Sequence, residues 1–258
     1  MAAPAGLHMD RNMNTPELIR MTGVSKSFGH IQALDTVDIS LRHNEVLALV
    51  GDNAAGKSTL LKTLAGVHPL DSGTIHIEGR RVEINRPGDA RMEGIETIYQ
   101  DFMLAPNLDI TKNIFLGREL TVSPWLKWLK RKKMDAAAAR VLQGLGFSIS
   151  MRTRVENLSG GQQQVVAIAR ALLNPPKVIL MDEPTASLSV GAIDRFLVQV
   201  KELKNRGCSI IYVSHRLPDI MEVADRIVII RTGRIVGERM KSETSIEELV
   251  RLMMGIAA

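Results

Sequence analysis

Between Gly51 and Thr59 the sequence reads GDNAAGKST: a glycine, four residues, a second glycine, a lysine, a serine and a threonine. That spacing suits a loop that binds phosphate. Glycines let the backbone curl so that successive N–H groups converge on one phosphate group, and a helix starting at the loop's end adds a field that favours anions. Gly51, Asp52, Asn53, Ala54, Ala55 and Gly56 would form the cradle, with Thr59 ending the segment. Lys57 would reach the β- and γ-phosphates of a nucleoside triphosphate, and the Ser58 hydroxyl would ligate its Mg2+. If the loop needs a positive φ at Ala54, its Cβ adds roughly 1 kcal/mol of strain.

A second patch of chemistry lies 125 residues beyond Lys57, where the apolar run Val178-Ile-Leu-Met ends in Asp182, Glu183 and Pro184. Asp182 is placed to hold the Mg2+ shell, directly or through water. Glu183 would orient or deprotonate an attacking water. Side chains alternate along a strand, but two adjacent carboxylates can diverge where the strand ends and Pro184 stops the pairing. At this point kinases and GTPases remain open, since both combine such a strand end with such a loop.

These groups need a scaffold. Val46–Val50 is apolar on both faces, as a central buried strand is, and a helix is expected from about Lys57 to Ala65. Other strand-like runs lie near Leu18–Val24, Val37–Leu41 and Thr74–Ile77. From about Asp101 to Asn174 the pattern turns helical: Asn107-Leu-Asp-Ile-Thr-Lys-Asn opens one helix, Pro124 fits the start of another, and the Ala run after Asp135 favours a third. Strands at Val178–Met181, Ser209–Val213 and Arg226–Ile230 then alternate with helices at about Ala192–Asn205 and Pro218–Val223, and Ile246–Met254 reads as an amphipathic helix. Such alternation predicts an α/β fold with a mostly parallel sheet between helices. Residues 1–16 read as a flexible leader in which Met9 or Met13 could be alternative starts, and 17–258 as one unit with a helical subdomain at about 101–174.

Composition sets the class. Aromatics make up only 3% of the chain, so the core must come from Leu, Ile, Val, Met and Ala. Cys208 is the only cysteine, which rules out an internal disulfide or a Cys-based metal site and suits a reducing compartment. The N-terminus has no apolar core of a secretory signal, and no run of about 18 apolar residues occurs, so no membrane span is expected. Lysine and arginine number 33 against 28 acidic residues, a net +5. Much of that excess is local, in Lys127, Lys130, Arg131, Lys132 and Lys133; it reads first as a solvated helix face, and as a surface suited to an anionic inner leaflet or a permease loop.

Leu158-Ser-Gly-Gly-Gln, opening an apolar helix, decides among the phosphate-binding classes. Ser159 and the amides of Gly160 and Gly161 would form a second anion site at a helix N-terminus. Here the sequence resembles the nucleotide-binding domains of ABC proteins, whose signature is LSGGQ, and it does so from about Leu18 to Met254. The resemblance implies a P-loop NTPase core, an N-terminal antiparallel β subdomain and a helical subdomain carrying the signature. It also implies Mg-ATP as ligand. Ser159, Gly160, Gly161 and Gln162 would close on the γ-phosphate held by a second ATP-binding subunit, in a head-to-tail dimer. Phe28 matches the aromatic that stacks on adenine. Gln100 matches the glutamine that touches Mg2+ or water, and His215 the histidine that contacts the γ-phosphate; with Glu183 they would be the catalytic set. Ser189 stands where the family often has an aspartate, which implies hydrolysis intact but looser coupling between the two sites.

The segment IYQDFMLAPNLDITKNIFLGREL, with SHRLPDIMEVADRIVIIRTGRIV and IEELVRLMMG, looks like the subgroup serving importers of simple sugars such as ribose, xylose or fructose, in its single-domain form close to fructose-type subunits. That implies an integral membrane permease, contacted through Asp101–Asn113, a sugar-binding protein as indirect partner, and a peripheral place on the cytoplasmic face of the inner membrane. No nucleic acid is expected. A soluble ABC ATPase acting on DNA, ribosomes or metal clusters is the alternative; it would be recovered in soluble extract without a permease, and coiled-coil insertions or fused cassettes, usual in such proteins, do not appear. A small-molecule kinase would have no use for LSGGQ.

Overall fold

A computed structural model describes residues 16–123, 128–186 and 188–256. The leader expected at 1–16 therefore lies almost wholly outside the described residues, as does Pro124. The chain begins with a long hairpin, β1 (Glu17–Phe28) and β2 (Ile31–Arg42), then runs through β3 (Val46–Val50) into α1 (Lys57–Leu64). β4 (Ser72–Ile77) and β5 (Arg80–Val82) return to the hairpin and complete an antiparallel sheet in the order β2-β1-β4-β5.

The second sheet is built from β6 (Ile95–Ile98), β7 (Val178–Asp182), β8 (Ser209–Val213), β9 (Arg226–Arg231) and β10 (Arg234–Met240) around β3, in the order β10-β9-β3-β8-β7-β6. All neighbours are parallel except the β9–β10 edge, which is an antiparallel hairpin. The α/β fold expected from the sequence is thus present, with a mixed rather than purely parallel sheet. Helices fill the crossovers: α2 (Pro87–Met92), α3 (Ile110–Ile114), α4 (Arg131–Gly144) and α5 (Gly160–Ala171) between β5 and β7, then α6 (Val190–Asn205), α7 (Leu217–Val223) and the terminal α8 (Ile246–Met254).

Strand periodicity explains the two cores. Leu47 and Leu49, with Leu180, Ile211, Val213, Val228 and Ile230, face the antiparallel sheet and sandwich α1 through Leu60, Leu61 and Leu64. Val46, Ala48 and Val50, with Ile179, Met181, Ile210, Tyr212, Ile227 and Ile229, face the opposite way, toward α5, α6 and α7. A strand that serves both cores must be apolar at every position. That is why β3, β7 and β8 are buried throughout.

Several elements went unread in the sequence, among them β5 and β6, which span only three and four residues. β10 alternates half-buried and exposed residues and carries Arg234, Glu238 and Arg239, so its apolar signal is weak, as an edge strand's is. α2 spans only six residues and opens on Pro87. Residues 120–122 pair antiparallel with 128–130 inside the helical segment, bridged at Thr121 and Leu129. Between 101 and 174 the helices expected at Asn107, in the Ala run after Asp135 and after Leu158 appear as α3, capped by Asp109, α4 and α5, while the one expected to start at Pro124 falls outside the described residues.

Candidate functional site

The sheet topology gathers the chemistry at one edge. β3, β8, β7 and β6 are parallel neighbours, so their C-terminal ends share a side of the sheet. Gly51 follows β3, His215 lies two residues beyond β8, Asp182 and Glu183 end β7, and Gln100 lies two residues beyond β6. Register confirms the alignment: Ile98 pairs with Met181 and Asp182 with Val213. Ligands of open α/β sheets bind outside such strand ends.

The loop at 51–56 is held in a shape few residues tolerate. Gly56 has φ +108, and a Cβ there would stand 2.7 Å from the Ala33 carbonyl oxygen. Ala54 is left-handed with φ +62, the condition under which its methyl group is strained. Thermal unfolding of Ala54→Gly should therefore match or exceed that of the parent, with a net gain of up to about 1 kcal/mol after the extra chain entropy of glycine. A clear loss of stability would show that the loop is relaxed around alanine.

Lys57 is buried, and its Nζ donates to the carbonyl oxygens of Gly51 and Asp52, both at 2.8 Å. Burial pulls its pKa down, opposed by the carboxylates of Glu183, Asp182 and Asp52. An ammonium desolvated this way gains from any anion that enters the loop. Ser58 Oγ donates to Asp182 Oδ1 at 2.9 Å, joining the first turn of α1 to the end of β7. Burial pushes the Asp182 carboxyl up, against the Ser58 hydrogen bond. A hydroxyl and a partly desolvated carboxylate are hard oxygen donors that fit Mg2+. No cluster of three or more His, Cys, Asp or Glu among the described residues could hold a metal alone, so phosphate oxygens and water would supply the other ligands.

Glu183 diverges from Asp182 for a definite reason: it is left-handed, with φ +48, while its N–H still donates to the Val213 carbonyl at 3.0 Å. The turn brings Glu183 Oε2 to 2.8 Å from His215 Nδ1 and 3.3 Å from the His215 amide. His215 is exposed at the rim, and Glu183 is nearly covered. Gln100 is exposed, and its side chain makes no hydrogen bond among the described residues.

Ser159 caps α5. Its Oγ accepts from the Gln162 amide at 3.4 Å, and Gln162 Oε1 accepts from the Ser159 amide at 2.9 Å, a reciprocal capping box. No hydrogen bond or ion pair among the described residues joins 159–162 to the loop at 51–59. Phe28 ends β1 and is 43% exposed. His68 meets it edge-on with ring centroids 5.0 Å apart, and Lys26 Nζ lies 5.6 Å from its centroid. Ser189 begins α6 without a side-chain capping bond.

Sequence reasoning missed three neighbours. His68 is 40 residues from Phe28 in sequence and carries no motif. Gln164 is buried in α5 and donates to the Pro184 carbonyl at 3.0 Å, so the signature helix abuts the segment behind Glu183. Arg170, near the end of the same helix, donates to the carbonyls of Phe102 (2.6 Å) and Met103 (2.7 Å), two left-handed residues that follow Gln100. Only tertiary contact reveals them. In the expected permease surface Asp109, Thr111 and Asn113 are buried, and the Asn113 side chain is bonded to the backbone of 105–109. That narrows the exposed part of 101–113 to Asp101, Met103, Pro106 and Asn107, with Leu104, Ala105, Leu108 and Lys112 half-buried.

The chain resembles known proteins along nearly its whole length. It is 45% identical over 242 residues to the xylose/arabinose import ATP-binding protein XylG of Sulfolobus acidocaldarius, covering 93% of this chain and 95% of that protein. It is 40% identical over 240 residues to the ribose import ATP-binding protein RbsA of Halalkalibacterium halodurans, where it spans 48% of the relative's length. Among solved structures, an ATP-binding cassette of an ABC transporter in its ADP conformation superposes with a TM-score of 0.81 at 30% identity, covering 93% of this chain and 100% of that one. The family profile described as ABC transporter matches residues 34–186, more than half of the chain, across the phosphate loop, the signature helix and the Asp182–Glu183 strand end. With the fold, the order of these motifs and the near-complete overlap with a relative in agreement, the chain belongs to the ABC transporter family.

Proposed function

We propose that this chain is the ATP-binding, ATP-hydrolysing subunit that drives import of a simple sugar, one nucleotide-binding unit over 17–258 working in a head-to-tail dimer beneath a membrane permease. The observation that carries the reading is the convergence of Lys57, Ser58, Asp182, Glu183 and His215 at one sheet edge, linked by Ser58–Asp182 and Glu183–His215 hydrogen bonds. The sugar class rests on the similarity to xylose/arabinose and ribose import proteins.

In this reading the amides of 51–58 cradle the triphosphate of ATP and the Lys57 ammonium bridges its outer phosphates. Phe28 stacks on adenine. Ser58, Asp182 and Gln100 would hold Mg2+, which would supply charge neutralisation on the phosphates. Glu183 accepts a hydrogen bond from the water that attacks the γ-phosphate and takes its proton, while the bond from the γ-phosphorus to the bridging oxygen breaks and ADP leaves. His215, fixed through Nδ1, turns its other ring nitrogen toward the phosphate. Ser159, Gly160, Gly161 and Gln162 of the partner subunit cover the triphosphate from the opposite side.

ATP then favours the closed dimer and hydrolysis reopens it, so work is delivered only by the difference in affinity between the two states. The permease contact falls on Asp101, Met103, Pro106 and Asn107, beside a cavity of about 190 Å³ lined by Tyr99, Leu116, Arg118 and Arg170. No helix among the described residues is long and apolar enough to cross a membrane. The subunit acts as a peripheral protein at the cytoplasmic face.

Reconstitution tests the reading: with its permease and a pentose-binding protein, the chain should take up labelled xylose, arabinose or ribose into vesicles only with ATP. ATP turnover indifferent to permease and sugar would overturn it. The signature has its own test. Aspartate caps a helix as well as serine does, so Ser159→Asp keeps α5 but sets a carboxylate against the partner's γ-phosphate. Turnover of the assembled complex should fall roughly 100-fold, the scale of losing one oxyanion donor, while Ser159→Asn loses much less. Equal rates in both variants would remove the sandwich from the mechanism.

A further inference from the structure

The paired stretches 120–122 and 128–130 and the helix start behind them have no part in the chemistry above. Their composition is unlike the rest of the chain. Residues 120–133 contain five cationic side chains and no acid, while the remaining 28 cations of the chain are matched by 28 acidic residues. The whole net charge of +5 thus belongs to this one segment. Both tryptophans of the chain, Trp125 and Trp128, lie in it as well.

The backbone sorts these residues into an amphipathic surface. The Val122 amide donates to the Trp128 carbonyl at 2.8 Å, and the Lys130 amide to the Leu120 carbonyl at 2.7 Å. Pairing of 120 with 130 and of 122 with 128 puts Leu120, Val122, Trp128 and Lys130 on one face, because side chains alternate and cross-strand partners share a side. That face is open: Leu120 is 40% exposed, Val122 59% and Trp128 74%. Glu119, the acid nearest in sequence, is turned back onto the Gly117 amide at 3.1 Å.

Next to the apolar face stands a concentrated positive field. Lys130 caps α4, and Arg131, Lys132 and Lys133 form its first turn, with no acidic residue there. Arg131 is paired with Asp109 at 2.5 Å. Lys130, Lys132 and Lys133 are exposed and make no ion pair among the described residues. Three cations at the positive end of a helix dipole weaken the helix. Helix stability therefore does not account for them, whereas a negatively charged partner surface would offset that cost.

We infer that this segment is a lipid-binding wedge: Trp128, Val122 and Leu120 enter the interface of an anionic bilayer while Lys130, Lys132 and Lys133 lie among its phosphate headgroups. Tryptophan prefers that depth, where its ring is half solvated, and lysines beside it bind acidic lipid. Charge complementarity selects the lipid over an apolar protein groove, since nothing in a groove would need the whole positive excess of the chain. The contact would hold the subunit at the bilayer independently of its permease.

Because both tryptophans lie in the segment, the intrinsic fluorescence of the intact chain reads it directly. Purified protein without nucleotide or permease is mixed with vesicles of phosphatidylglycerol and phosphatidylcholine, or of phosphatidylcholine alone. Expected are a blue shift and enhanced emission with the anionic vesicles only, reversed by salt, with co-flotation of the protein. Lys132→Gln/Lys133→Gln should weaken partition roughly 25-fold, about fivefold per lysine. Glutamine is a good helix former and removes an unfavourable charge from the first turn, so α4 survives. Trp128→Ser should also weaken flotation, with Trp125 left as reporter. Equal binding to neutral vesicles, a shift that appears only when the permease is present, or one that follows protein concentration without lipid would each overturn the wedge, the last two in favour of a protein surface. No ATP turnover enters the measurement, so its failure leaves the transport reading intact.

Discussion

Replacing Glu183 with glutamine should lower steady-state ATP turnover by roughly 100- to 10,000-fold, the usual worth of a general base, while ATP still binds. Glutamine has the shape of glutamate, and its amide oxygen can keep the acceptor place beside His215 Nδ1, now 2.8 Å from the carboxylate. Lys57 and Ser58, the groups proposed to grip the triphosphate, are held by the carbonyls of Gly51 and Asp52 and by Asp182, none of which the change touches. What disappears is the proposed proton acceptor. If closure of two subunits around ATP precedes hydrolysis, the variant must accumulate in the closed state, because the step that reopens the dimer is blocked. Size-exclusion chromatography with light scattering should then show a dimer in saturating ATP and a monomer without it. A variant that stays monomeric under ATP, or hydrolyses at the parental rate, contradicts the role of Glu183 and the sandwich together.

The second large effect concerns stability. Arg226 opens β9 with only 1% of its surface exposed. Its Nε and Nη2 reach Glu45 Oε1 and Oε2 at 2.7 and 2.9 Å, Nη1 reaches Glu238 at 2.9 Å, and Nη2 also donates to the Ser40 carbonyl at 2.7 Å. One guanidinium thus joins β2, the turn before β3, β9 and β10. Arg226→Met fills similar space but leaves the Glu45 carboxylate buried without its partner, a change that costs about 3–5 kcal/mol. At about 2–4 °C per kcal/mol for a chain near this size, the melting temperature should drop by roughly 6–20 °C. Adding Glu45→Gln removes the stranded charge and should restore a good part of that loss, since the Arg42 amide, now 2.7 Å from Glu45 Oε2, can still donate to the side-chain oxygen of glutamine. If the double variant melts no higher than Arg226→Met, lost packing rather than an unpaired charge governs the site.

Legibility in the sequence followed burial. β3, β7 and β8 were readable because strands covered on both faces are apolar along nearly their whole length and end in distinctive residues: Gly51 after one, Asp182 and Glu183 at another. α8 was readable from its amphipathic spacing alone. β10 and the pairing of 120–122 with 128–130 were not, because their strand character comes from a partner strand rather than from their own composition. The resemblance to ABC proteins assigned roles to Phe28, Gln100 and His215 that their own surroundings in sequence could not.

Alone, the amino-acid sequence determined which groups are present and the backbone each motif demands: a glycine-bounded loop before a helix, two carboxylates at a strand end, a serine with a glutamine three residues later at a helix start. Local sterics and hydrogen bonding within a few residues are enough for that. Only the tertiary structure decided that Ser58 meets Asp182, that the left-handed turn at Glu183 swings its carboxylate to His215, and that His68 comes to stand against Phe28. Those contacts join residues tens to more than a hundred positions apart, and they exist because five parallel strands pack in a single register between two apolar cores, a balance no short stretch of chain can set.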